Sequence, residues 1–128
     1  MRIEIEEMLD AARRRVRFRS GAASVEGCWA GPGEVPVGRE LDIEMDVSEE
    51  TIMSASPAFW PPQHAIAQDG GEVVIVGCAE RVGGDGVIEF RVGQDLILLE
   101  SIGPLADVVE GMCLELRIPE LKIYPRDL

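Results

Sequence analysis

The chain has 128 residues and a formal net charge of −12, from 12 lysines and arginines against 24 aspartates and glutamates. Its length predicts one domain over residues 1–128, with a hydrophobic core large enough to be stable without disulfides or bound metals. Its 46% hydrophobic content excludes a chain that is disordered throughout. The negative charge disfavours nucleic acid phosphates and anionic lipids as partners, and it favours a basic protein.

The first segment allows two interpretations. Apolar residues fall at helical spacing between residues 5 and 16, and acids precede arginines along it, as a helix dipole prefers. We therefore predict a short helix or turn over residues 4–12, followed by a strand over residues 14–19. The arginines of RRRVRFR are interpreted as a solvated strand face or as internal partners of the acidic surface, rather than as a nucleic-acid patch.

The clearest strand follows a second one that we predict over residues 24–30. In residues 39–47, RELDIEMDV, apolar side chains alternate with acids, so one face of the strand enters the core. The other face carries what we call the acidic row: Glu40, Asp42, Glu44 and Asp46. Carboxylates on a strand lie too far apart to wrap one cation, and the spacing of a calcium loop is absent. We predict no metal site, and we interpret the row as a solvated face or a docking surface.

Residues 48–71 are predicted to form a long proline-rich loop. Pro57, Pro61 and Pro62 exclude an ordinary central strand. Phe59 and Trp60 would either fold back as a plug over one end of the core, which we favour, or anchor an interface from a rigid loop. The only histidine of the chain is a candidate ligand-binding residue, His64.

The remaining strands form a predicted meander over residues 72–124. We expect a strand over 72–82, a hairpin over 86–101, and strands over 112–119 and 121–124. Within the hairpin, the apolar run 96–99 fits a strand that is covered on both faces. The pattern predicts an all-β fold, a single antiparallel barrel of six to eight strands.

Cellular location is predicted from the cysteines and from the absence of targeting signals. Cys28, Cys78 and Cys113 are odd in number, far apart and in apolar contexts, which indicates buried reduced thiols. The N-terminus lacks the apolar core of a signal peptide, and no apolar run is long enough to span a bilayer. One lysine beside 11 arginines suggests a GC-rich bacterial genome. We predict a bacterial cytoplasmic protein.

Two resemblances can be stated. Residues 111–125, GMCLELRIPELKIYP, resemble the closing strands of small barrels of the OB or TOBE type, which implies an OB-like fold. The chain lacks the Ser-Ala-Arg-Asn segment with which TOBE modules bind molybdate or sulfate, so no cofactor is expected. In size and acidity the chain is also similar to the bacterial immunity proteins that neutralise basic toxin nucleases.

The residues favour binding over catalysis. GxSxG is absent, and His64 would be the only imidazole available to a catalytic set. We predict a non-enzymatic protein-binding module, immunity-like or adaptor, that presents the acidic row with Phe59 and Trp60 to a basic protein. The alternatives are a small-molecule-binding barrel with a pocket under residues 57–64, and a hydrolase-type enzyme that uses His64. Pairing of an edge strand into a homodimer is left open.

Overall fold

The computed structural model describes residues 1–126, which form eleven β-strands and two short 3₁₀ helices, Glu49–Thr51 and Gly103–Leu105. The predicted all-β fold is confirmed. The strands are β1 Arg2–Asp10, β2 Arg15–Ser20, β3 Ala23–Trp29, β4 Glu40–Asp46, β5 Ser54–Pro57, β6 Ile66–Asp69, β7 Glu72–Val82, β8 Val87–Val92, β9 Asp95–Glu100, β10 Cys113–Ile118 and β11 Lys122–Pro125.

Five strands close into a barrel in the order β1-β2-β3-β11-β4, with β4 pairing back onto β1. Its pairs are antiparallel except β3 and β11, which run parallel with Lys122 opposite Cys28. The barrel has fewer strands than the six to eight predicted, because residues 54–118 form a sheet of their own. Five strands is also the number in an OB barrel, although β10, which we expected to help close the barrel, lies in the other sheet.

The second sheet has the strand order β5-β10-β7-β8-β9. The strand β7 is long enough to pair with two neighbours on one side, β6 over its first half and β8 over its second. The two sheets share one continuous core of apolar side chains that includes Phe18 from the barrel and Phe90 from the second sheet. Strands such as β3, β8 and β10 therefore bury alternate residues, whereas the central strand β7 buries five in a row, residues 73–77.

The N-terminal prediction is wrong, because residues 4–12 belong largely to β1. Ile3 and Ile5 are buried and alternate with exposed or half-buried acids, as in any strand with one covered face. The register with β2 then shifts twice, between Ile5 and Glu7 and between Met8 and Asp10. Each bulge adds a residue to one strand. These insertions interrupt the two-residue spacing of the apolar side chains, and the resulting spacing resembles that of an amphipathic helix.

Two further predictions need correction. The segment predicted as one long loop, residues 48–71, contains the short strands β5 and β6, and residues 58–65 between them have no strand. The run 96–99 is not covered on both faces, because Leu96 and Leu98 are exposed while Ile97 and Leu99 are buried. The reason is that only one face of β9, the face of Ile97 and Leu99, packs on the core.

The cysteine prediction is also wrong, since Cys78 and Cys113 form a disulfide. They lie directly opposite each other on β7 and β10, which places their side chains on the same face of the sheet. The third cysteine, Cys28, is a free thiol and is half-buried. No helix within residues 1–126 is both long and apolar enough to cross a membrane.

Candidate functional site

The acidic row lies on the outer face of the barrel, as predicted from the alternation of its strand. Ile43 and Met45 of β4 point into the core, and the four acids between and beside them are exposed. Successive side chains of a strand point to opposite faces, so the row runs the length of β4 with one carboxylate every second residue.

Cations of the neighbouring strands neutralise part of the row. Arg2 on β1 places a guanidinium nitrogen 3.7 Å from Asp42, and Arg126 does the same for Glu44. Lys122 on β11 lies opposite Asp46 in the register. Among the described residues, no ion pair shorter than 4.0 Å is made by the two ends of the row, Glu40 and Asp46.

The arginine run supplies cations to the opposite side of the barrel. Arg15, Arg17 and Arg19 project from the outer face of β2, where each meets an acid of β1 or β3. Arg15 lies 3.4 Å from Glu26, Arg19 lies 3.2 Å from Glu4, and Arg17 pairs with Glu7. These arginines are therefore internal partners of the acidic surface, one of the two interpretations that the sequence allowed.

A groove of 340 Å³, which we call the β4–β9 groove, separates the barrel from the last strand of the second sheet. It is lined by residues 44–47, residues 95–99, Tyr124 and Arg126. Arg126 joins its two walls, because it lies 3.7 Å from Glu44 and 3.2 Å from Asp95. The amino group of Met1 lies 2.9 Å from the same Asp95 carboxylate. Half of the acidic row, Glu44 and Asp46, therefore borders a concave surface.

Tyr124 shows the electrostatic character of this region. Partial burial raises the pKa of its phenol above the ordinary value, and the nearby carboxylates of Glu44 and Asp46 raise the pKa further. A negative phenolate would be repelled by the carboxylates. The groove therefore favours neutral or positively charged groups.

The aromatic residues of the proline-rich loop do not form the predicted plug. Phe59 is 96% exposed and Trp60 is 53% exposed. The loop leaves β5 where Ala58 donates a hydrogen bond to Cys113, and it returns where Ala65 accepts one from Val76. The loop therefore connects β5, which lies on one side of the β10–β7 pair, to β6, which lies on the other side. Its aromatic side chains remain at the surface. No described contact joins them to the acidic row.

His64 lies in the same loop and is half-buried. Its imidazole makes no hydrogen bond or ion pair with any side chain of residues 1–126, so no catalytic partner is in place beside it. Residues 57–64 line neither the β4–β9 groove nor two other cavities, of 480 and 390 Å³, among the described residues. Within the same residues, no group of three or more His, Cys, Asp or Glu side chains is arranged to hold a metal ion.

A second cavity, a cleft of 480 Å³, lies where the barrel meets the second sheet. Its lining includes three cations and three acids: Arg13, Arg15, Lys122, Glu26, Asp46 and Glu120. Arg15 and Glu26 already pair with each other, and Arg13 lies 3.9 Å from Asp10. Because its charges are balanced and partly paired, the cleft has no net preference for an anion or a cation. A third, shallower cavity of 390 Å³ lies beside Arg14 and Val35.

No protein-family model, curated protein or solved structure matches the chain. The OB-type resemblance therefore rests on residues 111–125, and the immunity-type resemblance rests on size and acidity.

Sequence reasoning found the acidic row and missed the groove beside it. The sequence predicts no role for Asp95 or Arg126, and it places Leu98 in a strand that is covered on both faces. The two walls of the groove lie about 50 residues apart in the chain, and only the pairing of β4 with β11 and the position of β9 at the sheet edge bring them together. No local pattern carries that information.

Proposed function

We propose that the protein is a non-enzymatic protein-binding module that presents the acidic row to a basic partner. The observation that supports this best is that Glu40 and Asp46 are exposed and have no ion pair among the described residues, in a chain with a net charge of −12. Unpaired carboxylates at a surface speed encounter with a basic partner and orient it. An immunity-like or adaptor role fits this chemistry.

Phe59 and Trp60 belong to the proposal as a second contact region. Large aromatic side chains are enriched among the residues that carry most of the binding energy at protein interfaces. Phe59 is almost fully exposed and Trp60 more than half. Burial against a partner would remove this apolar surface from water. We infer that the aromatics add affinity while the acidic row selects a basic partner.

The alternative functions have less support. A small-molecule site under residues 57–64 lacks a described cavity, and an enzyme centred on His64 lacks a partner for its imidazole among residues 1–126. The cytoplasmic location stays a prediction. The Cys78–Cys113 disulfide weighs against it, because disulfides persist mainly in oxidising compartments.

The test compares capture of proteins from native cell extract by the wild type and by Glu40→Lys/Asp46→Lys. This variant breaks no described ion pair of the barrel. Glu34→Lys/Glu110→Lys is the matched control, because it changes the net charge equally at exposed acids elsewhere. Each captured protein is purified, and its Kd is measured by calorimetry at about 0.05 and 0.5 M salt.

We expect the row variant to weaken the complex about tenfold, or about 1.4 kcal/mol. The control should bind as the wild type does, and high salt should weaken the wild-type complex. Replacing Phe59 and Trp60 with serine should weaken it independently of salt. Equal weakening by both charge variants would show that only net charge matters and would contradict the proposal.

A further inference from the structure

One wall of the β4–β9 groove is an open strand edge. Two residues, Gly93 and Gln94, turn β8 into β9, and Ser101 donates a hydrogen bond of 2.8 Å back to Gly86. Odd-numbered residues of β9 therefore direct their backbone groups at β8. Glu100 points the other way, and its N–H reaches the Glu49 carboxylate at 3.0 Å. The N–H and C=O groups of Leu96 and Leu98 consequently point away from β8, toward the segment that follows β4.

The facing wall is also unpaired. On the β1 side of β4, the Ile43 N–H donates a hydrogen bond of 2.8 Å to the Met1 carbonyl. On the opposite side of β4, the Asp42 carbonyl accepts a hydrogen bond from the Arg126 backbone N–H. The odd-numbered residues of β4 therefore direct their backbone N–H and C=O groups toward the β1 side. The pairing of β4 with β1 ends beside Ile43. Met45 and Val47 lie beyond that point, and no described backbone group bonds to them on this side. The groove thus lies between two stretches of backbone with unused hydrogen-bonding groups.

The other end of the same sheet is closed to an added strand. The Ala58 N–H donates to Cys113, so by alternation Ser54 and Ser56 face β10 while Ala55 and Pro57 face outward. Pro57 has no N–H to offer there, and natural proteins use proline to prevent pairing at sheet edges. The edge of β9 has no proline. Of the two ends of the sheet, only the one beside the acidic row can accept a strand along its length.

The side chains of the groove specify what such a strand would carry. On one side lie the exposed Leu96 and Leu98, and on the other lie Glu44 and Asp46. All four of these side chains point away from the core, because their chain neighbours Ile97 and Met45 are buried. A strand along β9 would direct alternate side chains to this outer face and the others toward the core side, beside Ile97. Basic residues on the outer face would reach the carboxylates, and apolar residues would occupy the inner face.

We propose that the β4–β9 groove binds an extended segment of a partner protein, alternately basic and apolar, as an added strand on β9. The proposal rests on the proposed function and names the mode of recognition, in which main-chain hydrogen bonds supply affinity and alternate side chains supply specificity. A second copy of this chain fits less well. Two antiparallel β9 edges would bring Asp95, Glu100 and the acidic row of both copies together, and like charges across strands repel.

The experiment measures binding of a fluorescein-labelled hexapeptide, Lys-Val-Lys-Val-Lys-Val, by fluorescence polarisation and by ¹⁵N chemical-shift changes. Leu98→Pro removes an outward N–H and leaves the hydrogen bonds between β8 and β9 intact. Ala55→Pro is the matched control, because it places proline at an outward position of the β5 edge. A third variant, Asp46→Lys, reverses the charge at one of the carboxylates of the groove. Near-UV circular dichroism establishes that each variant is folded.

We expect the wild type to bind the peptide and to show chemical-shift changes at Leu96 and Leu98. The variants Leu98→Pro and Asp46→Lys should each weaken binding about tenfold. The control Ala55→Pro should bind as the wild type does. A measurement on the wild type guards against a misfolded variant. In an extended peptide, the backbone N–H groups of the lysines lie along one edge and those of the valines along the other. N-methylation of all lysines, or of all valines, removes the N–H donors of one edge. Because only one edge of the peptide can pair with β9, one methylated peptide should lose binding and the other should retain it.

Several results would overturn the inference. These are no peptide binding, equal binding of both N-methylated peptides, or a folded Leu98→Pro that binds as the wild type does. If Asp46→Lys alone weakens binding, the added strand is wrong while the proposed acidic surface stands. If the wild type self-associates and Leu98→Pro removes the dimer without any effect of the peptide, the occupant is a second copy and the proposal fails.

Discussion

Gly77 is a residue at which one methyl group would disturb the packing of the second sheet. A Cβ added there would lie 2.3 Å from the carbonyl oxygen of Arg91 and 2.7 Å from the ring of Phe90. The carbonyl belongs to β8 and cannot move without disturbing its pairing with β7. We expect Gly77→Ala to lower the free energy of unfolding by about 2–3 kcal/mol, as overpacked core sites do.

Urea unfolding followed by circular dichroism measures this change. Gly71→Ala is the matched control, because a Cβ there meets no atom within 4 Å and its backbone is not left-handed. The control should unfold within about 0.5 kcal/mol of the wild type. Equal stability of the two variants would show that β7 and β8 separate more easily than their geometry indicates.

The free thiol of Cys28 gives a prediction about pH. Burial raises the pKa of this thiol, and the Glu120 carboxylate raises it further. Only the thiolate is alkylated, so iodoacetamide should react more slowly with Cys28 than with an ordinary thiol at neutral pH. Glu120→Gln removes a negative charge that opposes thiolate formation. We therefore expect the pH profile of alkylation to move to lower pH and the rate near neutrality to rise.

Mass spectrometry of the unreduced protein isolates Cys28, because the other cysteines are paired. Glu110→Gln makes the same chemical change at an exposed acid elsewhere and should leave the profile in place. A profile that is identical in wild type and Glu120→Gln would refute the assigned role of Glu120.

Among the elements, β7 and β10 are linked most strongly, since the Cys78–Cys113 disulfide adds a covalent bond to their ladder. The two cysteines are 35 residues apart in the chain. By chain entropy alone, closing a loop of that length stabilises the folded state by about 3–4 kcal/mol. We expect Cys78→Ser/Cys113→Ser to lose up to that amount in urea unfolding, and a dithiol reductant to destabilise the wild type but not the variant. Cys28→Ser, the control, should still respond to reductant, and an unresponsive wild type would mean that no disulfide forms.

Strand positions were largely predictable where alternation is unbroken. Residues 39–47 alternate without interruption, and the structure places β4 there with its acids outward. The prediction failed for β1, where two bulges disturb the period, and for β5 and β6, where prolines and short length hide the pattern. It also failed for the burial of β9, because an apolar run does not show whether one or both faces of its strand are covered.

At the scale of the whole molecule, the candidate site was half predictable. The acidic row follows from one strand, so its residues and their exposure could be derived from the sequence. The groove, the disulfide and the arginine pairs each depend on which strands are neighbours, and that order depends on long-range pairing that no local pattern encodes. The N-terminal arginines show this well, since the register of β1 and β2 places Arg17 opposite Glu7 and Arg19 opposite Glu4, and Arg15 reaches Glu26 of β3 diagonally.

The barrel is also interrupted in sequence. Its first four strands end at Asp46, and its fifth begins at Lys122, after the whole of the second sheet. Until β11 arrives, β3 and β4 each have an unpaired edge, and the chain is open to pairing with other molecules. Contacts between residues so far apart in sequence form slowly, because the loop between them must first close. We expect folding of the second sheet to shorten that loop, so that the inserted sheet brings β11 to the gap and limits the time for which the barrel stays open.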